Sequence, residues 1–113
     1  MSFEIHDETV QRAFEYLDEY CDAAAQARAD VTVAKYRVKT VRAKLKLSAP
    51  RELRSADLRE AWAESHEDYI KAYEDEANAV KSWEWHVRMA TWAESIRDGW
   101  RTLQSNERSV RKF

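Results

Sequence analysis

From Val10 to Leu45 apolar side chains recur alternately three and four residues apart. The series runs Val10, Ala13, Leu17, Tyr20, Ala24, Ala27, Val31, Ala34, Val38, Val41 and Leu45, and none of these positions is charged or carries an amide. A straight α-helix has 3.6 residues per turn, so a 3.5-residue period holds a seam on one side only when the helix packs along its length against another. The first half of the chain is therefore expected to be one long helix with a coiled-coil type of contact. Asp7 or Thr9 can cap its start, and it is expected to run to about Leu47. Ser48-Ala49-Pro50 ends it, because Pro50 disfavours helical geometry at Ala49 and has no N–H to donate.

Beyond the break, Ser55 is a second cap candidate and Asp57 suits the positive end of a helix. From residue 56 to about 105 the pattern is again helical, with a frayed tail to Phe113. The 113 residues contain one Gly and one Pro, which fits an almost wholly helical chain. The expected fold class is all-α: a long antiparallel two-helix hairpin of coiled-coil type, one domain over 1–113, with a basic turn at 48–55. Helices of this length would be roughly 60 and 75 Å long.

The second helix carries two overlapping apolar sets. Leu58, Trp62, His66, Tyr69, Tyr73, Ala77, Val80, Trp83, Val87 and Ala90 form one seam; Trp85, Met89, Trp92, Ile96, Trp100 and Leu103 form another, rotated from it. One facing helix cannot cover so wide a surface. Trp83, Trp85, Met89, Trp92, Ile96 and Trp100 are therefore expected at an interface between copies, making a homo-oligomeric helical bundle. The competing explanation is that Phe3 and Ile5 fold over them. Cys21, alone in the chain, is expected as a small core residue beside Tyr20. With no disulfide, no apolar run long enough to span a bilayer and no basic-then-hydrophobic start, a cytoplasmic protein with no membrane partner is expected.

Charge comes in blocks. Residues 1–30 hold eight acids and two bases, 31–54 eight bases and one acid, 55–80 eight acids and two bases, and 81–113 seven bases and four acids. Folding back at residue 50 sets basic 35–46 beside acidic 55–66, which favours the antiparallel register. Lys39, Arg42, Lys44, Lys46, Arg51 and Arg54 gather around the turn as the candidate nucleic-acid site, since clustered bases bind phosphates by displacing condensed counterions. The alternative is that they are solvated charges paired with Asp57, Glu60 and Glu64. Arg101, Arg108, Arg111 and Lys112 form a smaller basic group at the other end. Trp62 is the tryptophan nearest the basic turn and so the candidate for stacking on a base.

Catalytic patterns are sparse. His6, His66 and His86 have no metal-ligand spacing with carboxylates, and the single glycine rules out the usual phosphate-cradling loop. No catalytic residue, metal or cofactor is expected, and the chain reads as not an enzyme.

The segment from about residue 48 to 110 resembles small helical proteins of tailed phages that are similar to the UvsY-type recombination mediators. The likeness rests on Ser55, Leu58-Arg59-Glu60-Ala61, Tyr69 and Trp100-Arg101-Thr102-Leu103-Gln104-Ser105-Asn106-Glu107-Arg108. It implies an oligomeric helical protein of the host cytoplasm that binds single-stranded DNA and works beside a recombinase and a single-strand-binding protein. The acidic first 30 residues depart from that pattern and could mark a protein-docking end. Two functions are thus expected to compete: a DNA-binding mediator, and a coiled-coil adaptor or inhibitor of a host defence complex.

Overall fold

The computed structural model describes residues 7–111, which are helical apart from the turn and one break. Helix α1 spans Asp7–Ser48, α2 Ala56–Ser65 and α3 Glu67–Arg111. Among the described residues there is no strand, and no helix is long and apolar enough to cross a membrane. Two compact units emerge. The turn unit comprises residues 26–83, and the terminal unit pairs residues 7–25 with 84–111.

All eleven seam positions of α1 are buried or half-buried. In the turn unit Ala27, Val31, Val38 and Leu45 are buried on α1, facing Ala63 of α2 and Ala72 of α3, which are also buried. Contacts there run antiparallel: Arg42 pairs with Glu60, and Arg28 lies over Trp83. In the terminal unit Val10, Ala13 and Ala24 are buried on α1, and Ala90 and Ala93 on α3. Here aromatic contacts set the register. The Phe14 and Trp100 rings meet edge-on at 5.7 Å, and the Tyr16 hydroxyl donates to the His86 carbonyl at 2.8 Å and lies 3.2 Å from His86 Nδ1.

The connection is tied down by one side chain. Arg59 donates from Nε and Nη2 to the Lys46 carbonyl at 3.2 and 3.0 Å, and from Nη1 to the Leu53 carbonyl at 3.2 Å. The last turn of α1 leaves carbonyls without helical partners, and a planar guanidinium can bridge such a group to the loop. Ala49 is buried, and the Leu53 N–H donates to the Pro50 carbonyl at 3.0 Å. Ser55 caps α2, its Oγ accepting from the Leu58 N–H at 3.1 Å.

The expected single helix over 56–105 is instead two helices, broken at His66. His66 has extended backbone, φ −73° and ψ 143°. Its N–H closes α2 on the Ala63 carbonyl at 3.2 Å, and its Nδ1 accepts from the Asp68 N–H at 3.1 Å, capping α3. No Gly or Pro marks the break. Ser65 and His66 are middling helix formers, and Glu67 and Asp68 are acids suited to a helix start. At its far end α3 stays helical to Arg111, so the frayed tail expected after 105 is corrected as well.

The expected seam is displaced by one residue at three positions of α3, while Tyr69, Val80, Trp83 and Ala90 are buried or half-buried where expected. Tyr73, Ala77 and Val87 are exposed, and their neighbours Ala72, Glu76 and His86 face inward as buried or half-buried residues. Cys21 is exposed, not core, because it sits about 100° around α1 from seam residue Tyr20. Phe3, Ile5 and His6 lie outside the described residues.

Replacing Arg59 by Ala is expected to lower stability by about 1.5–3 kcal/mol, the usual worth of hydrogen bonds from a charged donor. Urea unfolding would measure it, and Arg59→Lys should recover less than half, since one ammonium cannot span both carbonyls. Desolvation raises the Tyr16 phenol above its ordinary value of 10.0, and the charge of Tyr20 adds to the rise. The folded state thus favours protonated Tyr16, and this stabilisation is present below the unfolded value and lost as pH climbs through the folded one. Tyr16→Phe should cost about 0.5–1.5 kcal/mol at neutral pH, and the cost should shrink in unfolding measurements above about pH 10.

Candidate nucleic-acid interface

The six bases around the turn divide by helix face. Arg42 and Lys46 lie one turn apart on the flank of α1 that faces α2, where Glu60 and Glu64 are also one turn apart. Arg42 pairs with Glu60 and, at 3.3 Å, with Glu64; Lys46 Nζ is 3.8 Å from Glu60. The Arg42 Nε is buried with no hydrogen-bond partner among the described residues. Two of the six are therefore already committed to carboxylates, as the charge-pairing alternative expected for part of the cluster. Asp57 takes no part in these pairs.

Lys39, Lys44, Arg51 and Arg54 are exposed, and no ion pair among the described residues involves them. They come from the end of α1 and from the connection that Arg59 holds. Sequence reasoning missed Arg59 as the organiser of this end. Its signal was position alone, an arginine on the first turn of a helix that follows a proline-ended one. Tyr36, exposed on α1 between Lys35 and Arg37, was not singled out from the sequence. Trp62 is half-buried, its ring 5.4 Å from that of His66, which leaves it less free to stack.

The second basic group is more dispersed. Arg101 and Arg108 are exposed along α3 and line a shallow depression with Trp100, Gln104 and Ser105. Lys112 and the Arg111 side chain lie outside what the structure describes. The arginines also sit within a helix that continues to Arg111, so Arg101 is not at a helix end.

The six expected interface residues are not equally available. Trp83, in the turn unit, is half-buried with the Arg28 guanidinium 5.9 Å from its ring centre. In the terminal unit Trp100 packs on Phe14, and Met89 and Ile96 are half-buried. Trp85 touches Tyr16 edge-on at 6.4 Å yet stays 54% exposed, and Trp92 is 37% exposed. Val87 and Leu103 add to the exposed apolar surface of α3. Among the described residues no group of three His, Cys, Asp or Glu side chains could hold a metal ion.

No family model, curated protein or solved structure matches this chain.

The Arg42–Glu60–Glu64 cluster is half-exposed, so each pair should contribute only about 0–1 kcal/mol. Glu60→Gln is expected to lower the melting temperature slightly in dilute buffer. The difference should shrink toward zero at about 0.5 M salt, where charges are screened within a few ångströms. Thermal unfolding at the two salt concentrations would read it.

Proposed function

We propose that the protein is a self-associating, non-enzymatic helical accessory protein that binds single-stranded DNA. The observation that carries this reading is the division of the basic turn. Arg42 and Lys46 are held by Glu60 and Glu64, and Lys39, Lys44, Arg51 and Arg54 remain exposed and unpaired among the described residues. Four exposed cations in the turn unit suit phosphates and carry no base-reading geometry. Tyr36, exposed one turn from Lys39, offers a face for a splayed base, as single-strand binders use aromatic rings.

Self-association is supported by the apolar groups that the chain leaves open on α3: Trp85, Val87, Trp92 and Leu103. An exposed cluster of this kind is commonly covered by another chain. Repeating the basic end in an assembly raises the effective concentration of phosphate-binding groups. The resemblance to the UvsY-type mediators points to recombinase loading in phage-type recombination or replication, in the cytoplasm of a host.

A second reading is favoured by one feature. Glu64, Tyr69, Ile70, Tyr73 and Glu74 line an open groove of about 500 Å³ in the turn unit, apolar in its floor and acidic at its rim. Such a groove suits a basic, apolar protein segment, as a coiled-coil adaptor or an inhibitor of a host complex would need.

Binding to a labelled single-stranded oligonucleotide decides between them. If four bases contact phosphates, affinity should fall about fiftyfold between 50 and 200 mM salt, the single-strand slope being about 0.7 per contact. No binding at low salt would overturn the DNA reading and leave the adaptor. Light scattering should give a mass above that of one chain, and Trp85→Ser with Trp92→Ser should move it toward the monomer while the circular dichroism stays helical.

A further inference from the structure

The flank of α1 opposite Arg42 and Lys46 carries a basic groove. Arg37, Val41, Lys44 and Leu45 of α1 form one wall, and Asp68, Lys71 and Ala72 of α3 the other, around a depression of about 350 Å³. Only Lys44 belongs to the cluster that the turn draws together in sequence. Arg37 lies two turns earlier in the same basic block, and Lys71 sits in the block of 55–80, where Arg59 is the other base among eight acids.

Resting on the reading that the chain binds single-stranded DNA, we infer that the Arg37–Lys44–Lys71 groove is where successive phosphates of the strand are seated. Three cations face one acid across it. None of the three is in an ion pair among the described residues, and the Asp68 carboxylate lies 3.8 Å from His66 Nδ1 while its backbone N–H is bound to that same nitrogen. Asp68 thus sits beside the break between α2 and α3. The opposite flank differs in kind, because Glu60 and Glu64 take up its Arg42 and Lys46. A strand on that flank would have to displace carboxylates, whereas on this one it meets bases that are free to pair.

The spacing favours a polymer over a single anion. Arg37 and Lys44 are seven residues apart, about 10.5 Å along the axis of α1. That is too far for both to grip one phosphate, and Lys71 reaches in from the facing wall. The floor is apolar, formed by Val41, Leu45 and Ala72, and the Arg37 and Lys44 stems can lie along it with their charged ends in water. Tyr36 borders Arg37 on the exposed side of α1, where a base turned out from the groove could stack.

The test compares the full chain with two triple variants in binding to a fluorescein-labelled oligothymidine across a salt series. Arg37→Ala, Lys44→Ala and Lys71→Ala remove the groove cations. Lys35→Ala, Lys81→Ala and Arg88→Ala remove the same charge from exposed positions outside it. All six sites are helical and exposed, where alanine keeps the helix. The groove variant should bind at least about tenfold more weakly in about 0.1 M salt, with a salt slope smaller by about two, while the control stays within about threefold of the parent. Asp68→Asn, which lifts the one opposing charge, should tighten binding. Equal weakening in both triple variants, or an unchanged groove variant, would overturn the groove while leaving DNA binding standing. A parent chain that does not bind the oligonucleotide at low salt would overturn the DNA reading itself.

Discussion

Close approach of helices over alanine is the constraint on which the rest of this structure depends. Among the described residues eight of the twelve buried apolar ones are alanines: Ala13, Ala24, Ala27, Ala49, Ala63, Ala72, Ala90 and Ala93. A helix pair that meets over small side chains sits at short axial distance, and its bulky residues are pushed to the margins of the contact. No large side chain among the described residues is fully buried. Each alanine withdraws little area from water, so the hydrophobic stabilisation per residue is modest. The pairing therefore leans on edge contacts such as Phe14 with Trp100 and on the Tyr16 bond to His86 in the terminal unit, and on Arg59 in the turn unit.

The same constraint shapes both candidate surfaces. With alanines facing inward, the large apolar groups of α3 are displaced outward, which is the basis for proposing self-association. With a narrow seam, the bases of α1 fall onto two flanks. On one flank Arg42 and Lys46 meet the acids of α2; on the other Arg37 and Lys44 meet Lys71 and stay unpaired among the described residues.

Much of the helical framework was legible from spacing alone. The α1 seam from Val10 to Leu45, the stop before Pro50 and the cap at Ser55 all follow from local chemistry that acts within a few residues. The break at His66 was not legible, because it uses no helix breaker: it arises when a histidine ring substitutes for a capping side chain. The inward face of α3 is also shifted by one residue in places, so that Tyr73 and Val87 read as core although Ala72 and His86 occupy that place. Of the candidate site, the basic cluster could be read from charge blocks. Which members are free could not, since that depends on which carboxylate sits opposite, and Asp57 and Glu60 look equivalent in one dimension.

By itself, then, the sequence determined the helices, because a 3.5-residue apolar period, one glycine and one proline leave the backbone few other ways to satisfy its hydrogen bonds. It also determined that the bases would gather near the turn. Only the tertiary structure decided which flank stays charged, which aromatic rings are covered, and that Arg59 ties the end of α1 to the connection. These depend on the angular position of each side chain about its helix, where one residue of shift is a rotation of about 100°. Tyr73 and Val87 are exposed for that reason, while Ala72 and His86, one residue away, face inward.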